Sequence, residues 1–234
     1  METLVLTLLV LTSARCLSAK HVFIGDRMSW FEAQEYCRKY HTDLSPLSTK
    51  LEKDVFTNSE IGNKIGWIGL YWVGDGWRWS GGDNATYTFW HNQKLFYTHV
   101  LWYTNGWYKN PPSNRLNFFC LNLVVVEEEK SWEEALEHCR ENHKDFTSLL
   151  SKTETLLALT EIQHQRITDR VWIGLRFLVD SWIWVNGDPL EYEGWSQEGH
   201  QDQQCPVWNR CGALTKEGLW ENRDCRERLN FICV

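Results

Sequence analysis

The chain has eight cysteines, yet no two are spaced C-x-x-C, so neither the zinc-finger nor the C-x-x-C redox spacing is present. Neither H-E-x-x-H, G-x-S-x-G nor a P-loop occurs, removing the common metalloprotease, hydrolase and nucleotide-binding chemistries. Glu161 and His164 have E-x-x-H spacing, but the second such pair that a di-iron site needs is missing. The formal charge is −7 and the basic residues are scattered. Neither nucleic acid nor an anionic membrane surface would find an electrostatic footprint here. Beyond residue 19, no apolar run approaches the length of a membrane span. The chain reads as non-enzymatic.

The first residues, METLVLTLLVLTSARCLSA, hold an apolar core from Leu4 to Leu11 followed by small residues. Residues 1–19 read as a signal peptide cleaved after Ala19 or Cys16, with Glu2 where a positive charge is usual. The remaining seven cysteines then point to an oxidising compartment and a secreted, extracellular product.

Tryptophan is abundant, with 15 residues, and its spacing carries the organisation. GWIGLYWVGDGWRWSGGD (Gly66–Asp83) returns as VWIGLRFLVDSWIWVNGD (Val171–Asp188), 105 residues later. Trp67 and Trp172 each precede a second tryptophan by 12 residues, and a third follows 11 residues on, at Trp90 and Trp195. SWFEAQEYC (Ser29–Cys37) matches SWEEALEHC (Ser131–Cys139), and each copy ends in Asn-Phe-x-Cys. The chain is an internal duplication, with one domain over 20–122 and another over 123–234.

Each copy opens with a capping box, Ser29 with Glu32 and Ser131 with Glu134, behind which Trp, Ala and Cys share one helical face. Second helices start at Thr49 and Ser151. The WIGL segments are apolar on both alternating faces and read as strands buried on both sides, with Gly69 and Gly174 admitting a close neighbour. Helices followed by strands give an α+β fold. The repeated tryptophans read as core, while the unrepeated Trp102 and Trp208 read as surface.

Cys37 with Cys120, and Cys139 with Cys233, would each tie the first helix to the last strand. Cys211 and Cys225 flank Trp220 and form an inner pair; Thr98 and Pro112 stand at the matching distances in the first copy, so that bridge was lost as a unit. Cys205 is left over. It would link two chains into a disulfide-bonded dimer or be capped by a small thiol; a local bridge to Cys211 would strand Cys225.

The helix with its cysteine, WIGL, the later tryptophan and the terminal Phe-x-Cys resemble the C-type lectin-like domain. The chain is similar to two tandem modules of mannose-receptor-type proteins. The resemblance implies two helices and small antiparallel sheets per module, disulfide-bridged. It also implies a calcium ion that coordinates two sugar hydroxyls, held by a Glu-Pro-Asn or Gln-Pro-Asp triplet and a following Trp-Asn-Asp. Calcium takes six to eight oxygen ligands, and vicinal hydroxyls supply two.

The second copy departs from this pattern. WSQEGHQDQQCPVWNRC (Trp195–Cys211) has no such triplet, and Trp-Asn-Asp reads Trp220-Glu221-Asn222. Glu198, Gln201, Asp202, Glu221, Asn222 and Asp224 remain as candidate calcium ligands of a degenerate site. In the first copy, Trp90 to Trp107 spans 17 residues against 25 from Trp195 to Trp220, so the ligand loop is shortened. Trp107-Tyr108-Lys109 puts a cation where a ligand would be. The resemblance implies carbohydrate binding through the second domain, with glycans or glycoproteins as partners; the alternative is a calcium-independent pair of protein-binding modules. Asn84-Ala85-Thr86 is the N-glycosylation sequon.

Overall fold

The computed structural model describes residues 20–92, 96–104, 106–163, 166–195 and 206–234. It divides into two compact units, Lys20–Asn122 with Ser151–Leu157, and Leu123–Leu150 with Ala158–Val234. Among the described residues no helix is long and apolar enough to cross a membrane.

In the N-terminal unit, helix α1 (Trp30–Tyr40) starts where Ser29 Oγ accepts the Glu32 amide and Glu32 returns a carboxylate to the Ser29 amide at 2.8 Å. Helix α2 (Lys50–Thr57) is capped the same way by Thr49 and Glu52. The reciprocal cap satisfies two orphan donors at once, which is why both helices begin at these residues. Glu52 is buried and also accepts Ser48 Oγ at 2.7 Å and Ser151 Oγ at 2.5 Å.

The sheet of this unit runs β1 (His21–Met28), β8 (Leu116–Leu121), β3 (Ile65–Val73), β6 (His99–Tyr103), β7 (Gly106–Asn110), β5 (Trp90–Asn92). Strand β2 (Asp43–Leu44) pairs with β8 and β4 (Gly76–Trp79) with β3. The sheet is not purely antiparallel: β3 meets β8 in parallel through Trp67 and Phe118, and β5 meets β7 in parallel.

The C-terminal unit rebuilds the pattern. Helix α3 (Trp132–Asn142) has its capping box at Ser131 and Glu134. Helix α4 (Lys152–Gln163), which enters this unit from Ala158, is capped by Ser151 Oγ on the Glu154 amide at 3.1 Å. The strand order is β13 (Trp220–Arg223), β12 (Cys211–Thr215), β10 (Arg170–Leu178), β14 (Leu229–Cys233), β9 (Val124–Lys130), with β11 (Ser181–Trp184) on β10. Strand β10 meets β14 in parallel at Trp172 and Phe231.

The helix tryptophans fasten helix to sheet identically in both units. Trp30 Nε1 donates to Ile68 O and Trp132 Nε1 to Ile173 O, each at 2.9 Å. Disulfides Cys37–Cys120 and Cys139–Cys233 bind the same helices to β8 and β14, closing separations of 83 and 94 residues. Loops of that size are worth about 4–5 kcal/mol each in the chain-entropy model.

The glycine of each WIGL strand is required by a close backbone. Gly69 and Gly174 donate their amides to Ser45 O and Thr147 O. A Cβ on Gly174 would lie 2.8 Å from that same Thr147 oxygen, and one on Gly69 would lie 2.9 Å from Leu44 O. Gly174→Ala should therefore destabilise the chain by about 1–3 kcal/mol. Gly25→Ala, where a Cβ would meet nothing within 4 Å, should be close to neutral. Urea denaturation of both variants checks the contrast.

Candidate functional site

In each unit one buried tryptophan collects three aromatic rings. Trp107 is met edge-on by Trp79 at 5.6 Å, Tyr87 at 5.7 Å and Trp90 at 5.6 Å. Trp220 is met by Trp184 at 5.2 Å, Tyr192 at 5.4 Å and Trp195 at 5.6 Å. These edge-to-face contacts fix the strands that present the candidate ligand groups, β7 and β13.

On and after β13, each candidate carboxylate already holds an arginine. Glu221 Oε2 lies 3.0 Å from Arg170 Nε. Asp224 accepts Arg226 Nη2 at 2.7 Å, and Arg226 Nε and its backbone amide each at 3.1 Å. These hydrogen bonds, the side-chain ones foremost, hold the Asp224 carboxyl down at about 2. Beyond the candidate set, Glu227 is paired with Arg223 at 2.9 Å. Asn222 donates Nδ2 to Asn209 O at 3.3 Å. Glu198, Gln201, Asp202 and Cys205 lie outside the described residues. Calcium takes its charge from carboxylate oxygens. At the described candidates it would have to displace Arg170 from Glu221 and Arg226 from Asp224.

Glu133, Cys211 and Cys225 come close enough together to suggest a metal cluster. The chemistry excludes it. The two sulfurs are joined as the Cys211–Cys225 disulfide, and Arg176 Nη2 stands 3.2 Å from the Glu133 carboxylate. Metal ligation by cysteine requires a thiolate.

In the N-terminal unit the corresponding strand carries a cation of its own. Lys109 Nζ sits 4.9 Å from the Trp90 ring centre and 5.3 Å from that of Trp77. Those two rings are packed at 4.7 Å. Tyr108 projects to the other side of β7, against His91 at 5.0 Å and Tyr103 at 5.4 Å. The lysine was legible in the sequence; its tryptophan partners were not.

Two expectations are corrected. Trp102 is core, not surface: its inward position on β6 buries it against Phe56 at 5.4 Å, and its Nε1 donates to Gly62 O at 2.8 Å. The counterpart of Cys211 is His99, not Thr98. Tyr71 pairs with His99 as Arg176 pairs with Cys211, and Trp67 pairs with Leu101 as Trp172 pairs with Ala213. Pro112 does occupy the place of Cys225, since its carbonyl accepts the Trp30 amide as that of Cys225 accepts the Trp132 amide. Trp208, by contrast, is 81 % exposed, and Asn84 of the sequon is exposed too.

Where the C-terminal unit has a disulfide with Arg176 over the Trp132 ring, the N-terminal unit has His99 among Trp30 at 4.6 Å, Phe31 at 5.1 Å and Tyr71 at 6.0 Å. Burial pulls the His99 pKa from 6.5 down to about 4. The folded value lies below the unfolded one, so the stability is complete above pH 6.5 and drains away as pH falls towards 4. The loss by pH 4 should be on the order of 2 kcal/mol. His99→Phe should remove this share of the acid-side loss, leaving the same-sign contributions of His21 and His143, which burial also lowers, and the opposing ones of Asp43 and Asp145, whose carboxyls burial raises. Thermal melts of both proteins between pH 7 and 4 measure the difference.

A model of the lectin C-type domain matches the chain twice, over residues 26–122 and 128–234. The chain is similar to human lymphocyte antigen 75, 22 % identical over 256 residues, covering 88 % of this chain and 14 % of that protein. It is also similar to the human secretory phospholipase A2 receptor, 23 % identical over 253 residues, covering 90 % and 17 %. The chain thus spans a small fraction of the length of these relatives. Among solved structures, human lithostathine covers 47 % of this chain, with 88 % of its own length matched, 20 % identity and a TM-score of 0.42.

Proposed function

The chain belongs to the C-type lectin domain family, and on that premise we propose that it is a non-enzymatic extracellular recognition protein that binds a protein partner without calcium. Its two modules are residues 20–122 and 123–234, and residues 1–19 serve as the signal for secretion. The observation that carries this reading is the pairing of Glu221 with Arg170 and of Asp224 with Arg226. Among the described residues, a guanidinium stands against each candidate carboxylate that would hold the ion and, through it, the sugar hydroxyls. The phospholipase A2 receptor, named for a secreted protein, supports the choice of a protein ligand.

One observation favours a second reading, glycan binding by the C-terminal module. Trp208 presents its indole to solvent beside the exposed Val207, an apolar face on which a sugar ring or a protein side chain can lie.

Calorimetric titration of calcium into the full chain should give no binding heat, and calcium should not raise its melting temperature. A calcium heat abolished by Glu221→Ala would overturn the reading. A glycan array probed with and without chelator separates the two partners: silence in both conditions favours a protein, whereas chelator-resistant binding lost in Trp208→Ala favours a sugar.

Glycosylation at Asn84 belongs to the same proposal. Asn84 and Thr86 are both exposed, as an acceptor site requires. Protein from a secretory host should lose mass on glycosidase treatment, and Asn84→Gln should abolish that loss.

A further inference from the structure

The disulfides differ in their surroundings, and we propose that Cys211–Cys225 is a site of thiol–disulfide exchange, opened by an external dithiol while the two helix-to-strand bridges stay closed. Access differs first. Cys37, Cys120, Cys139, Cys233 and Cys211 are fully buried, whereas Cys225 keeps 9 % of its surface in solvent. An incoming thiolate therefore approaches this bridge from the Cys225 side.

Charge differs second. Arg176 Nη1 lies against both sulfurs of this bridge. The arginine side chain is only 9 % exposed, while the Glu133 carboxylate that its Nη2 meets is 36 % exposed. Water screens the carboxylate more than the buried guanidinium, so the positive end dominates at the sulfurs. A neighbouring arginine stabilises a thiolate, and a better-stabilised thiolate leaves faster.

The cost of opening differs third. This bridge spans 14 residues, against 83 and 94 for the others, so its loss releases the least chain entropy. The N-terminal unit folds with His99 and Pro112 in the same two places, so the fold does not depend on a bond there.

The reaction is a two-electron exchange. The thiolate of the dithiol attacks Cys225 Sγ, a new S–S bond forms there, and the Cys211–Cys225 bond breaks. Its electron pair leaves on Cys211 Sγ, facing Arg176 Nη1. The second thiol of the reagent then attacks its own sulfur in the mixed disulfide and releases Cys225. The dithiol ends oxidised to a cyclic disulfide, and the two protons it gave up are available to the two cysteine thiolates.

The test uses the full chain, with pre-existing thiols first blocked by one alkylating label. Limiting dithiothreitol is then added, and newly freed thiols are trapped with a second label and mapped by mass spectrometry. Cys211 and Cys225 should acquire the second label together, at least about tenfold faster than the four cysteines of the other bridges. Arg176→Met should slow the opening about threefold to tenfold, and Glu133→Gln should accelerate it, because the guanidinium then faces the sulfurs unopposed. Protection of the four buried cysteines reports that each variant is folded. Opening of all three bridges at one rate in the native chain would overturn the proposal. So would a folded Arg176→Met variant that opens as fast as the native chain, or a slower Glu133→Gln. If Arg176→Met does not fold, the native order of opening and Glu133→Gln decide.

Discussion

Among the described residues, the candidate site of each module is built around one buried tryptophan that three other rings meet on edge. Trp107 and Trp220 take their partners at centre distances between 5.2 and 5.7 Å in both units. Aromatic packing of this kind constrains direction as well as distance, because the ring quadrupole disfavours a face-to-face sandwich. A substitution in any of the four rings would therefore move the strand that follows. That is why two copies whose loops differ by eight residues, 17 against 25 between the flanking tryptophans, still present β7 and β13 alike.

Around this shared frame the two copies solve the same electrostatic problem differently. The C-terminal module spends its carboxylates on arginines, Glu221 on Arg170 and Asp224 on Arg226. The N-terminal module has Tyr108 in place of Glu221 and holds Lys109 over two tryptophans. The same divergence recurs beside the first helix. There a disulfide with an arginine in one module corresponds to a neutral histidine among aromatic rings in the other. Exposed ion pairs of this sort add little to stability. Here they stand at Glu221 Oε2 and at the Asp224 carboxylate, two of the candidate ligands.

What could be read from the sequence was what packing makes periodic. The tryptophan spacings, the capping boxes and the WIGL glycines are set by contacts within one element or between adjacent strands, so duplication left them in register. Trp102 was misjudged because the other copy has Leu214 at that depth on β12, and an unrepeated residue is not for that reason an exposed one. The counterpart of Cys211 was missed by one residue because the count ran back from Trp107 along the chain, whereas pairing with β3 sets the position. Two of the arginine pairings were hidden. Arg170 and Arg176 stand in an apolar strand, and nothing local marks Glu221 and Glu133 as their partners. A basic residue inside a strand otherwise buried on both sides was the one available sign.

Lys109 has a consequence for how the N-terminal module meets its surroundings. The occupancy of a bound ion follows the ion's concentration in the medium. An ammonium joined to the chain by its own side chain has a fixed local concentration that no dilution changes. A chelating fluid or one poor in divalent metals would leave the Trp77–Trp90 pair with its cation in place. In this module the charge on β7 was written at translation, and its presence does not depend on divalent ions in the medium.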